Sequence, residues 1–261
     1  MRSVKTALQV LEAVSRLQPV GLSELTRAMG LPKTTVYRSL TTLAEAGWLE
    51  TDGTQWLVSA RAFVVGSTVG DRGGLRTCAL PVMNALAAEV RETIHLMIPD
   101  GREVVLIERI DSPHAVRAVA PLGARAPLHA SSNGKSMLAY LPEGKAADYL
   151  RSDIEAVTAH TTTDPDRLRA ELDTIRARGY AVNVEELQDG VVAVAAAIRP
   201  GGGLPVGSLS ISGPKVRMPS KIHAEYGEKV RQAAEKIAAK LPAAVWQAPR
   251  YTSASGAAPG V

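Results

Sequence analysis

The chain has 261 residues, 46% of them hydrophobic, a formal net charge of +4 and one cysteine. That length fits about two domains, and the lone Cys78 excludes an intramolecular disulfide framework and any multi-cysteine zinc site. No apolar run, Val191 to Ile198 included, reaches the ~18–20 residues that cross a bilayer, so no membrane partner is expected.

The opening stretch MRSVKTALQVLEAV is amphipathic, because Glu12 and Arg16 interrupt its apolar residues. It reads as mature structure of a cytoplasmic protein rather than a signal peptide. Val4, Ala7, Leu8, Leu11 and Val14 form a stripe that predicts a first helix ending before Pro19. Leu22, Leu25 and Met29 give a second. Gly30-Leu31-Pro32 breaks the period, and Val36, Leu40 and Leu43 resume it in a third. With those residues inward, Lys33, Thr34, Thr35, Tyr37, Arg38, Thr41 and Thr42 face outward, a donor-rich surface with no carboxylate before Glu45. Gly47 ends that helix, and Trp48 to Thr51, the turn signal Asp52-Gly53 and Thr54 to Val58 predict a two-stranded wing. Residues 1–78 hold nine Lys/Arg against six Asp/Glu, so the positive bias lies with this candidate DNA reader. Thr34, Thr35 and Arg38 are placed to meet base edges and Lys33 to meet phosphate. Tyr37 and Thr42 complete the predicted DNA face. Trp48 and Trp56 are expected in the wing core.

A linker helix over residues 60–71 and a hinge at Arg72-Gly73-Gly74 lead to a helix from Leu75 to Val90, with a kink or an early first turn at Pro81. Cys78 reads there as a small buried apolar residue rather than a reactive thiol. Strand-like runs follow at 93–98, 103–110 and 115–120, then helices at 134–140, 143–150 and 165–178, the last capped by Gly179. Strands are expected again at 180–186, 191–198 and 206–211, with Gly201-Gly202-Gly203 as a hairpin tip. A closing helix spans about 219–241. The fold class is α+β, with helices against a largely antiparallel sheet. The domains are expected at 1–59, 60–76 as linker and hinge, and 77–247. The Ala-, Ser-, Gly- and Pro-rich tail at 248–261 is expected to be disordered.

Chemistry-bearing patterns in the second domain are few. Ser210 and Ser212 are two apart on a strand and share one face, where two hydroxyls suit a carboxylate. Gly134 at a helix start would add backbone N–H donors and a favourable dipole. The alternative is that the serines only cap and bridge strands. Asn133-Gly134-Lys135-Ser136 imitates a phosphate loop, but the spacing requires glycine where His129 stands. Lys135 then reads as a solvated or salt-bridged helix residue, or as a cation near an anionic ligand. His95, His114, His129, His160 and His223 show no metal-ligand spacing, no Gly-x-Ser-x-Gly elbow is present, and adjacent Glu185 and Glu186 point to opposite faces. No catalytic residue, metal or cofactor is expected.

Four segments in order, LSELTRAMGLPKTTVYRSLTTLAEAGWLE at 22–50, LHASSNGKSMLAYL at 128–141, GYAVNVEELQDGVVAVAAAI at 179–198 and LSISGPKVR at 209–217, resemble the IclR-type bacterial transcription regulators. The resemblance covers about Val4 to Leu241. It implies an N-terminal winged helix-turn-helix, a linker helix and a GAF-like α/β effector-binding domain. It further implies operator DNA bound by a homodimer or dimer of dimers, and a small metabolite, often a carboxylic acid or aromatic catabolite, that changes activity. By motif position the effector pocket would take Ser131, Ser132, Asn133, Gly134, Asn183, Ala193, Ser210 and Ser212. Members of that family often carry an acidic residue where this chain has Asn183 and a cysteine where it has Ala193, differences that bear on the effector rather than the fold. The competing reading is a small-molecule-binding signalling or enzymatic module whose winged helix binds protein.

Overall fold

The computed structural model describes residues 2–70 and 74–241. The chain divides into two compact units, one ending at Gly70 and one following it. The predicted hinge residues Arg72 and Gly73 and the tail from Ala248 lie outside the described residues.

In the first unit three helices, α1 (Arg2–Leu17), α2 (Leu22–Met29) and α3 (Lys33–Glu45), pack together. Helices α2 and α3 turn their expected stripes inward, whereas α1 buries Val10, Ala13 and Val14 and leaves Val4 and Leu8 of its expected stripe exposed. Val10, Val14, Leu25, Val36 and Leu40 share one core with no exposed surface. Gly30 ends α2 in the left-handed conformation at φ 63° and donates to the Thr26 carbonyl. A side chain is strained there, which is why glycine serves this turn. The wing is β2 (Leu49–Thr51) and β3 (Gln55–Val58), joined through Gly53 at φ 96°. The sequence did not signal β1 (Val20–Gly21), which pairs with β3 and makes a three-stranded sheet in the order β1-β3-β2. Trp48 and Trp56 pack against the core as expected. The linker helix α4 (Ala60–Gly70) belongs to this unit and leaves Phe63, Val64 and Val65 exposed.

The second unit starts with α5 (Leu75–Val90), which runs on through Pro81, so the proline marks no early first turn. Strands β4 (Thr93–Asp100), β5 (Glu103–Ile110) and β6 (Arg125–Pro127) precede helices α6 (Ser132–Leu138), α7 (Glu143–Arg151) and α8 (Pro165–Arg178). Strands β7 (Ala181–Val184), β8 (Val191–Ile198) and β9 (Gly207–Pro214) follow, then α9 (His223–Ala238). The six strands form one antiparallel sheet in the order β6-β5-β4-β9-β8-β7. The long segment anticipated as one closing helix begins instead with a 3₁₀ turn, Ser220–Ile222.

The stretch 115–120, read as a strand, is irregular. Its carbonyls are taken by side chains rather than a ladder: Thr93 Oγ1 donates to Ala118, Arg217 Nη1 to Val116, and Arg109 to Ala120. Pairing at that edge passes to the short β6, which was not foreseen.

Period-2 alternation divides the sheet. Ile94, Leu96, Val192, Val194, Ala196, Leu209 and Ile211 point to one face and form an apolar core with α5 and α9. The other face holds Thr93, His95, Met97, Ala193, Ala195, Ala197, Ser208, Ser210 and Ser212, small and polar residues under α6.

Candidate functional site

On the second face lies a cavity of about 110 Å³. Its walls are apolar on the side of Met97, Leu106, Ala118, Val119 and Ala126, and again at Leu187, Val191 and Ala193. Seven of the eight residues singled out from the sequence surround it: Ser131, Ser132, Asn133, Asn183, Ala193, Ser210 and Ser212. Gly134 is not part of the lining. Its N–H is capped by Ser131 Oγ at 3.0 Å, and a Cβ there would lie 2.4 Å from the Leu128 Cα and carbonyl oxygen. Glycine at 134 thus serves a close backbone crossing rather than an open N–H donor.

The seven are not equivalent. Ser131 Oγ is a helix cap that also donates to the Pro127 carbonyl at 3.0 Å. Asn133 Nδ2 donates to Ser208 Oγ at 3.2 Å and to its carbonyl at 3.3 Å, which docks α6 on β9. Asn183 Nδ2 donates to the Ala130 carbonyl at 2.7 Å, and its Oδ1 accepts the Glu186 N–H at 3.2 Å. Those two amides hold the cavity wall in place. Ser210 Oγ, by contrast, is buried with no hydrogen-bond partner among the described residues.

His95 is the residue that sequence reasoning missed. It sits opposite Ser210 in the β4–β9 register, and its Nε2 is the other buried side-chain polar atom lacking a partner among the described residues. Burial, helped by the Arg109 charge and opposed by Asp111, brings its pKa down to about 4, so the ring is neutral at pH 7. The alternation Thr93, His95, Met97 against Ile94, Leu96 was the available signal.

Lys135 is neither solvated nor in the cavity lining. Fully buried, its Nζ lies 2.8 Å from both Glu171 carboxylate oxygens and 2.6 Å from both of Glu186. Burial raises the Glu186 pKa, with Lys135 opposing that shift. This cluster ties α6 to α8 and to the turn after β7. Glu185, on the opposite side, instead pairs with Lys215 and accepts the Gly190 N–H at 2.9 Å. His129 is structural: its ring meets Tyr149 Oη at 2.8 Å and the Glu155 carbonyl at 2.9 Å.

On α3, Lys33, Thr34, Tyr37, Arg38 and Thr42 are exposed and Thr35 is half-buried. Lys33 and Arg38 enter no ion pair among the described residues. Val36, Ser39, Leu40 and Leu43 anchor the opposite side, so the donor-rich face is held rigidly outward. Thr41 Oγ1 is spent on the Tyr37 carbonyl at 3.0 Å. No group of three or more His, Cys, Asp or Glu suited to a metal occurs among the described residues, and no helix among them is long and apolar enough to cross a membrane.

Comparison with known proteins assigns both parts of the chain to one family. Residues 3–53 match the IclR helix-turn-helix domain, and residues 68–239 match the bacterial transcriptional regulator IclR C-terminal family. The chain is similar to the transcriptional regulator KipR of Bacillus subtilis, 31% identical over 92% of this chain and 97% of that one. It is 32% identical to the transcriptional repressor IclR of Escherichia coli over 91% and 89% of the two chains. Among solved structures, an IclR homolog from Microbacterium hydrocarbonoxydans complexed with 4-hydroxybenzoate superposes with a TM-score of 0.76 at 27% identity, over 90% and 97% of the chains. Matched by the family in both its helix-turn-helix part and its C-terminal part, the chain belongs to the IclR family of bacterial transcription regulators.

Proposed function

We propose that this regulator binds operator DNA through α3 as a homodimer or dimer of dimers in the cytoplasm, and that a small metabolite in the sheet-face cavity sets its activity. The observation that carries the effector half is the cavity on the sheet face, apolar-walled with a few hydroxyls and amides, the usual form of a small-molecule site. At about 110 Å³ it suits a one-ring or short-chain ligand, either aromatic or carboxylate-bearing. The relative that holds 4-hydroxybenzoate supports that class. Ser131, Ser132, Asn133, Asn183, Ala193, Ser210 and Ser212 are its proposed contacts.

Lys33 and Arg38 are free to meet DNA, with Thr34, Thr35, Tyr37 and Thr42 beside them. An arginine held on a recognition helix reads guanine bidentately, a contact worth ~1–3 kcal/mol of discrimination. Dimerisation is supported by the exposed apolar residues Val4 and Leu8 on α1 and Phe63, Val64 and Val65 on α4. An effector that favours one dimer geometry shifts the population toward or away from the half-site spacing, about one helical turn of DNA.

A gel shift on the DNA upstream of its own gene tests the reading. A sequence-specific, salt-sensitive shift is expected, and Arg38→Ala is expected to weaken it about tenfold with the oligomeric state unchanged. A protein that gives no such shift is not acting as this regulator on that DNA.

A further inference from the structure

We propose that His95 Nε2 and Ser210 Oγ form a subsite for a hydroxyl group of the effector, carried on an apolar body. The inference rests on the reading of the cavity as the effector site and deepens it by naming the chemistry of one end of the ligand.

Buried polar atoms in folded proteins nearly always have partners, because leaving one without costs stability. Here two lack a partner among the described residues, they belong to adjacent strands in direct register, and both residues line the same cavity. Side chains in such register share a face with Cβ atoms about 5 Å apart, so one ligand group reaches both. The neighbouring serine at the same spacing, Ser208, is bound to Asn133, Ser136 and the Ala196 carbonyl. The strand therefore has the means to satisfy a serine at this depth and does not do so at 210.

The charge balance selects an uncharged group. Arg125, at the cavity, is held by Asp100 at 2.5 Å and Glu103 at 2.6 Å. Arg109, across from His95 in the β4–β5 register, is held by Asp111 at 2.8 Å. An ionised carboxylate at the His95 end would find both nearby cations already paired, and an uncompensated buried charge is costly. The imidazole is itself neutral at pH 7. Between them a serine hydroxyl and a neutral imidazole offer one donor and one acceptor in either tautomer. A hydroxyl, being both donor and acceptor, satisfies the pair whichever tautomer is present. A carboxylate elsewhere on the ligand is compatible with this arrangement.

Calorimetry on the full-length protein with three pairs of probes, each matched in size, tests the subsite: phenol and toluene, 4-hydroxybenzoate and 4-methylbenzoate, lactate and isobutyrate. In at least one pair the hydroxyl member is expected to bind about tenfold or more tighter. Ser210→Ala and His95→Phe are each expected to bring that pair within about twofold. Thermal melting of the free variants gives the second readout. Removing an unpartnered buried hydroxyl leaves the Tm of Ser210→Ala equal to or above that of the wild type, whereas a structural serine would lower it.

Equal binding of both members of every binding pair, or a hydroxyl preference that survives in Ser210→Ala, overturns the subsite. If Ser212→Ala then weakens both members, the cavity still stands as the effector site. Binding by none of the six overturns the subsite and the cavity reading together.

Discussion

The two faces of the six-stranded sheet are made by the same strands and have opposite chemistry. Along β8, Val192, Val194, Ala196 and Ile198 enter the core with α5 and α9, while Ala193, Ala195 and Ala197 alternate with them beneath α6. Along β9, Leu209 and Ile211 face the core, and Ser208, Ser210 and Ser212 the other side. Stability and ligand recognition are thus interleaved at a spacing of one residue, and a substitution on one face should leave the other face's property alone. The most severe test is Leu209→Ala, which removes a side chain with no exposed surface. It should lower the unfolding free energy by about 2–5 kcal/mol in chemical denaturation. Ligand selectivity, measured on the same variant, should not change.

Acid sharpens the contrast, because the cavity face holds a histidine that the core face has no equivalent of. Burial lowers the folded-state pKa of His95 to about 4 from an ordinary 6.5. Its contribution to stability is therefore complete above about pH 6.5 and is lost progressively as pH falls toward 4. A difference of about 2.5 pH units corresponds to roughly 3 kcal/mol. Arg109, across in β5, favours the neutral ring and Asp111 opposes it, both weaker than burial. The stability of His95→Phe should fall less steeply than that of the wild type between pH 6.5 and 4. Parallel curves from the two proteins would mean the ring is not desolvated at this position.

Local signals carried far in the first unit and less far in the second. Leu22, Leu25 and Met29, Gly30, then Val36, Leu40 and Leu43 give helix, turn and helix with little help from the rest of the chain, because the code for that motif is periodicity plus one left-handed glycine. The pocket serines were found because residues two apart on a strand share a face. Two errors came from contacts that periodicity and spacing do not encode. The apolar stretch 115–120 has a strand's composition, yet Thr93, Arg109 and Arg217 take its carbonyls, and the last of these lies about a hundred residues away. Gly134 resembles an anion-binding helix start, but its missing Cβ admits the Leu128 backbone. Lys135 was equally ambiguous until Glu171 and Glu186 were brought to it by α8 and the turn after β7. His95 was passed over because its isolation in sequence says nothing about the cavity that forms above it.

The finest division falls within one strand face, between Ser208 and Ser210. Both are fully buried and both project toward α6, so sequence pattern and burial treat them alike. Their hydrogen bonding does not. Ser208 Oγ donates to the Ala196 carbonyl at 3.1 Å, accepts from Asn133 Nδ2 at 3.2 Å and lies 2.8 Å from Ser136 Oγ. Alanine at 208 would leave the Asn133 amide with only the Ser208 carbonyl and strip one partner from Ser136, at a cost of about 1–3 kcal/mol. Alanine at 210 removes a group with nothing to lose. Denaturation of the two variants side by side should therefore give opposite signs, a loss for Ser208→Ala and no change or a gain for Ser210→Ala. Losses of equal size would place a structural partner at both hydroxyls, and the serine face would then be a docking surface for α6 along its whole length.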